Sequence, residues 1–212
     1  MMTPYNILKC DLSFQEEIKK SRFITYLAAA QGKQQALEYL QSIKEQHREA
    51  RHHCWAYIGA SPQNSTIMGC SDDGEPKGTA GKPMLAVLQG YNVGEIVAVV
   101  VRYSGGIKLG TGGLVRAYSN GLQQLGMQLE TIEKRFYQQY QVECDYAQMA
   151  TIESLLTAGS ARIVEINYLQ SVKAIIEIDI QYEQQFIEQL IALTQGKVMP
   201  VKIISPPNAM RE

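Results

Sequence analysis

Two stretches hold most of the residues able to do chemistry. They are Ser71-Asp72-Asp73-Gly74-Glu75-Pro76-Lys77-Gly78-Thr79-Ala80-Gly81-Lys82-Pro83 and Arg102-Tyr103-Ser104-Gly105-Gly106-Ile107-Lys108-Leu109-Gly110-Thr111-Gly112-Gly113. Asp72, Asp73 and Glu75, set beside Lys82 and Arg102, have the residue types for acid–base work. The same charges also suit pairing with one another to fix two loops. Glycines in both stretches admit positive φ and close backbone approach. Each stretch leads into a helical pattern, whose free N–H groups suit an anion.

Nucleotide chemistry of the common kinds is excluded by spacing. A Walker A loop needs Gly, four residues, then Gly-Lys-Ser/Thr; around Gly81-Lys82 the outer positions are Pro76 and Pro83, and Gly110 is followed by Thr111 instead of lysine. The dinucleotide fingerprint fails at Val115, where Gly or Ala is required after Gly110-Thr111-Gly112. Metal chemistry finds no better support. The acidic cluster lacks the alternating ligands of a calcium loop. His52, His53, Cys54 and Cys70 have no standard zinc spacing, and in a strand His53 and Cys54 point to opposite faces. Cys70 with His53 is the available thiol–imidazole pair. No catalytic residue, cofactor or metal is expected.

Bulk properties set the frame. The chain has 212 residues, 45% apolar and 19% charged, an ordinary balance for a folded protein of one large or two smaller domains. No run approaches the roughly 18 apolar residues of a membrane span, and residues 1–11 do not read as a signal peptide. Cys10, Cys54, Cys70 and Cys144 are widely spaced, as free thiols of a reducing compartment would be. A cytoplasmic location with no membrane partner is expected. The net charge is −1. A small cationic excess up to residue 135 is offset by an acidic excess after it, a bias compatible with phosphate contacts in the first half.

The elements that must position the two loops follow from periodicity. Ser21–Leu27, His53–Ile58 and Thr66–Cys70 read as strands, and Lys33–His47 reads as an amphipathic helix through Ala36, Leu37, Leu40 and Ile43. Val97–Val101 is unbroken apolar, the pattern of a strand buried on both faces. Pro83–Gln89 reads as helical. Leu114, Val115, Tyr118, Leu122 and Leu125 form a second helical stripe, closed by Gly126. Beyond a boundary near residue 133 the pattern changes. Phe136–Cys144 alternates as a strand, and a helix from Asp145 to Gly159 opens on a capping-box-like Gln148. Arg162–Tyr168 and Val172–Ile180 are two strands, Glu183–Thr194 is a helix ended by Gly196, and Val198–Ile204 is a last strand. That β-α-β-β-α-β order predicts a ferredoxin-like module with one sheet face left for partners.

The two loop stretches, together with Val99-Val100-Val101 before the second and Leu114-Val115-Arg116-Ala117-Tyr118 after it, resemble the signature of the IMPACT/YigZ family. Lys20-Ser21-Arg22-Phe23-Ile24 and Ala50-Arg51-His52-His53-Cys54-Trp55-Ala56-Tyr57 resemble the family's N-terminal blocks, so the likeness spans roughly residues 15–125. Ser104 and Cys70 stand where the family commonly has aromatics, and Lys77 where bacterial members often have serine.

The resemblance implies an α+β protein of two domains. Residues 1–133 would form a ribosomal-protein-S5-like α/β sandwich. Residues 134–212 would form a ferredoxin-like βαββαβ domain resembling the last domain of elongation factor G. Both relatives bind ribosomal RNA, so the implied role is a non-enzymatic binder of RNA, the ribosome or a translation factor, by analogy of fold. Lys20, Arg22, Lys82, Arg102, Lys108 and Arg116 are the expected cationic contacts, or else a solvated face. His52, Trp55 and Tyr103 are expected to serve either stacking or core packing. Asp72, Asp73, Glu75, Thr79, Gly105, Gly106 and Gly110 complete the expected binding surface. The alternative is a small-molecule enzyme whose site is formed by loops 71–83 and 102–113, which requires a concave pocket between them.

Overall fold

The computed structural model describes residues 3–156, 160–204 and 208–211. The chain divides into two compact units, Tyr5–Glu133 and one built on the residues from Lys134 onward.

The first unit runs β1 (Tyr5–Leu8), β2 (Leu12–Ile18), β3 (Ser21–Ala29), α1 (Gly32–Gln46), β4 (His52–Ile58), β5 (Met68–Ser71), α2 (Gly81–Gly90), β6 (Val93–Gly94), β7 (Ile96–Tyr103) and α3 (Thr111–Gly126). Five strands form an antiparallel sheet in the order β2-β3-β7-β4-β5. The central β7 explains its own sequence. Ile96, Ala98 and Val100 pack under α2 and α3 with Phe23, Leu27, Met84, Leu88 and Tyr118, while Val97, Val99 and Val101 pack against Ala36, Leu40 and Ile43 of α1. Alternate side chains thus enter two different cores, which leaves no polar position in the run. A sheet covered by helices on both faces is the α/β sandwich that the resemblance implies.

Two features of this unit depart from the sequence expectation. β2 carries Leu12, Phe14 and Ile18 on its inner side, but Glu16 breaks the alternation. Its connection to β3 is the pair Lys19-Lys20, at φ 48° and 64°. Two positive φ values are the requirement of a tight I′ hairpin, normally met by Asn-Gly, so the turn carries no compositional flag. β1 pairs with β6 in parallel through two residue pairs, too short a contact to leave a periodic trace.

The second unit runs β8 (Thr131–Cys144, which begins before the division), α4 (Tyr146–Leu156), β9 (Ala161–Tyr168), β10 (Val172–Asp179), α5 (Glu183–Leu193), β11 (Val201–Lys202) and β12 (Asn208–Arg211). β11 pairs with β8, β8 with β10 and β10 with β9, all antiparallel. This is the ferredoxin-like order. Val142, Cys144, Ala174, Ile176 and Ile178 meet Ile152, Phe186 and Leu190 of the two helices. The Gln148 side chain accepts from the Asp145 N–H at 3.0 Å, half of a capping box. The expected helix stop at Gly159 lies outside the described residues. β11 is shorter than the expected Val198–Ile204 strand, since Pro200 has no N–H to give to a ladder. On the sheet face away from the helices, Glu177 receives Arg162 at 2.6 Å and Gln139 at 2.9 Å.

Candidate functional site

The sheet register of the first unit brings the signature together. Arg22 lies opposite Tyr103, His52 opposite Arg102, and Trp55 opposite Ser71. The starts of β3 and β4 and the ends of β5 and β7 therefore share one end of the sheet, where the stretches leading into α2 and α3 also lie. The two glycine-bearing loops meet there, and what joins them is buried. Arg102 Nη1 donates to Glu75 Oε1 at 2.6 Å, with side-chain exposures of 10% and 4%. The same carboxylate oxygen accepts from the Tyr118 hydroxyl at 2.8 Å. Burial pushes that phenol far above its usual range, so it stays protonated and donates.

Asp72 is spent on the backbone of its own loop. Its carboxylate accepts from the N–H groups of Gly78 (2.7 Å), Gly81 (2.9 Å) and Ala80 (3.0 Å). Partial burial acts to raise its pKa. The three amides and the Lys82 charge outweigh that and hold it below the ordinary value. An internal anion thus occupies the start of α2. Asp73, at φ 41°, accepts from the His53 N–H at 2.7 Å and lies 3.6 Å from the Lys44 ammonium. His52 Nδ1 donates to the Asp73 carbonyl at 2.9 Å, and the buried Thr79 hydroxyl donates to the Pro76 carbonyl at 2.7 Å. Asp72, Asp73, Glu75, Thr79, His52 and Arg102 were expected to form a binding surface. Their polar groups are engaged by backbone, by one another or, for Asp73, by Lys44, and the buried ones among them need such internal partners.

The second loop is held by backbone contact. The Ser21 hydroxyl accepts from the Gly105 N–H at 3.2 Å, and a Cβ on Gly105 would sit 2.0 Å from the Lys20 carbonyl oxygen. Gly105→Ala is therefore expected to destabilise this unit by about 1–3 kcal/mol through forced separation of two backbones. A thermal unfolding comparison with Gly112→Ala, where a Cβ meets nothing within 4 Å and φ is not positive, checks this. Gly110, at φ 75°, caps α3 without a side-chain bond, and the first turn of that helix carries no acid.

The groups left facing water differ from those held inside. Lys19, Lys20, Arg22, Lys82, Lys108 and Arg116 are exposed, as are Gly106 and Gly110. A groove of about 790 Å³ runs between the β2–β3 turn and α3, lined by Ile18, Lys19, Leu109, Val115, Arg116 and Asn120 among others. Both of its charged lining residues are cations. Lys19 lies in the basic turn before β3 but was not among the expected contacts.

A further network lies on the α1 side. His47, which follows α1, has Nε2 2.7 Å from the Tyr26 hydroxyl and Nδ1 2.9 Å from the Tyr103 hydroxyl. Burial and the Arg22 charge lower its proton affinity, so the neutral ring gives one N–H and accepts one O–H. The Arg22 guanidinium lies 4.3 Å over the Tyr103 ring. Trp55, partly buried, is stacked on Tyr57 with centroids 5.8 Å apart and packs against the α1-facing core.

Neither thiol near the loops is activated. The Cys54 sulfur donates to the Asp72 carbonyl and is pushed up to about 12 by burial. Cys70 is also raised, first by burial and then by Asp72. Cys54 packs in the α2–α3 core and His53 lies in the neighbouring strand position on the other face, which divides the zinc set. Among the described residues there is no group of three or more His, Cys, Asp or Glu placed to hold a metal, and no helix long and apolar enough to cross a membrane.

The model of the Impact N-terminal domain matches residues 19–125, which include both loops and every strand end that holds them. The chain belongs to the IMPACT family. An IMPACT family member of Haemophilus influenzae is 44% identical over 93% of this chain and 96% of its own length. The IMPACT family member YigZ of Escherichia coli is 45% identical, covering 89% of this chain and 92% of its own. Protein IMPACT of Danio rerio is 35% identical, but over 43% of this chain and 29% of its own. A solved structure described as a hypothetical protein superposes with a TM-score of 0.68 at 43% identity, covering 96% of this chain and 98% of that one. Residues 142–197 match a domain of unknown function.

Proposed function

We propose that this family member is a cytoplasmic binding protein of the translation machinery, not an enzyme, and that it grips RNA with the loop end of its N-terminal unit. One observation carries the reading: at that end the carboxylates of the 71–83 loop are engaged by partners within the unit, while the 102–113 loop has none, and the cations and glycine backbone are turned out. Glu75 and Asp72 hold the loops in shape. Lys19, Lys20, Arg22, Lys108 and Arg116 face solvent beside a groove whose charged lining is wholly cationic. A fixed array of cations with bare backbone between them suits a phosphate chain, which needs charge and close approach more than deep enclosure. The implied kinship of both domains to modules that bind ribosomal RNA supplies the translation setting as analogy.

The enzyme alternative needs free carboxylates, and those of Asp72, Asp73 and Glu75 are engaged in hydrogen bonds and ion pairs. The test is fluorescence anisotropy with labelled single-stranded RNA. The combined variant Lys20→Ala, Lys108→Ala, Arg116→Ala is expected to weaken binding by a similar factor for every sequence, with the unfolding midpoint retained. Parent and variant binding alike, or a parent that does not bind RNA, would remove the proposal.

A further inference from the structure

The cavity between the chain following α1 and the loop following β7 has a composition that a phosphate grip does not explain. It is a half-open depression of about 360 Å³, lined by Glu49, Arg51, Tyr103, Ser104 and Gly106. That volume lies at the lower end of small-molecule sites, which run from about 300 to 1,000 Å³. Among the described residues, neither Glu49 nor Arg51 has an ion pair or side-chain hydrogen bond, although one residue separates them. The cavity is therefore lined by one acidic and one basic residue, neither engaged by a partner among the described residues. Its wall is fixed, because Tyr103 is held by His47 at its hydroxyl and by Arg22 over its ring. Gly106, at φ 79°, leaves the rim bare of a side chain.

Each part of that lining selects. An isolated anion would be repelled by Glu49, and an isolated cation by Arg51. A planar group with two adjacent donors on one edge and two adjacent acceptors on another satisfies both. Guanine has that arrangement: N1–H and N2–H lie side by side for a carboxylate, and O6 and N7 lie side by side for a guanidinium. Adenine, cytosine and uracil do not present both pairs. In a single strand the Watson–Crick and Hoogsteen edges are open to side chains. We infer that this cavity takes one guanine base, with Glu49 on its Watson–Crick edge, Arg51 on O6 and N7, and Tyr103 as the wall beside the ring. The inference deepens the RNA-grip reading, on which it rests for the source of the base. It adds sequence preference to a surface that would otherwise read only backbone.

The test uses the full chain in two arms: isothermal titration with GMP, AMP, CMP and UMP, and anisotropy with labelled oligouridylate carrying a single internal G or A. GMP and the G-containing strand are expected to bind at least about tenfold more tightly than their counterparts, the discrimination typical of a bidentate base contact. Glu49→Gln and Arg51→Ala, both at exposed positions, are expected to reduce that preference to less than about twofold, with the affinity for oligouridylate retained. No guanine preference in either arm overturns the inference, and so does a preference that survives both substitutions. RNA bound without preference for G sinks the base pocket and leaves the RNA grip standing. GMP selected with no RNA bound keeps the pocket, assigns it to a free nucleotide and removes the RNA reading.

Discussion

Arg102→Ala is expected to lower the stability of the N-terminal unit by about 3–5 kcal/mol, the usual cost of removing one partner from a buried ion pair. The substitution leaves the Glu75 carboxylate, at 4% side-chain exposure, with the Tyr118 hydroxyl as its one remaining hydrogen-bond donor. A charge held there must either recruit water into the packing of β3, β7 and α3 or take up a proton. Each route opens the junction of the two loops. Urea unfolding with an unchanged m-value measures the loss. Replacing both partners by apolar residues, Arg102→Met with Glu75→Leu, is expected to cost less than Arg102→Ala, since no charge remains inside. A loss below about 1 kcal/mol for Arg102→Ala would mean that Glu75 rehydrates freely and that the pair behaves as a surface contact.

Asp72→Ala has the second large effect, about 3 kcal/mol, because hydrogen bonds to a charged acceptor contribute about 1.5–3 kcal/mol each and are partly replaced by water when lost. Three amides, of Gly78, Ala80 and Gly81, lose their acceptor together. The effect is also pH-dependent in a definite direction. The Asp72 carboxyl is held below its ordinary value, so its contribution is complete above the unfolded pKa of about 3.9. It is lost as pH falls through the folded value. The stability gap between parent and Asp72→Ala is therefore expected to be constant near neutral pH and to narrow below about pH 4. Chemical unfolding across that range checks it, and a gap that widens on acidification would exclude the carboxylate as its source.

These two residues show how far the sequence could be read. Spacing alone marked Asp72, Glu75 and Arg102 as unusual, and it favoured internal pairing without closing off acid–base chemistry. The choice depends on β7 delivering Arg102 beside the loop that carries Glu75, a relation between positions 27 apart that no local pattern records. Elements with strong periodicity were legible: the two-sided apolar run of β7, the stripe of α3 and the βαββαβ order of the second unit. β2 was not, because Glu16 stands where an apolar residue would complete the pattern. Its carboxylate accepts from Asn120 of α3 at 2.8 Å, so the interruption serves packing between two elements. The basic turn at Lys19–Arg22 was legible, but without β2 Lys19 was not counted among the contacts, and one side of the cationic groove went unread. Glu49 carried no expectation and Arg51 only a place in a family-like block; the tertiary position of Tyr103 and Gly106 is what makes them the lining of a cavity.

The claim that the loop end grips a phosphate chain is tested most directly by the salt dependence of RNA binding. Labelled single-stranded RNA titrated with the full chain at several monovalent salt concentrations should give a log affinity that falls linearly with log salt, with a slope of about −0.7 for each phosphate neutralised. Lys108→Ala and Arg116→Ala should each make the line shallower by about one such step. A horizontal line, or variants that keep the parent's slope, would contradict the account.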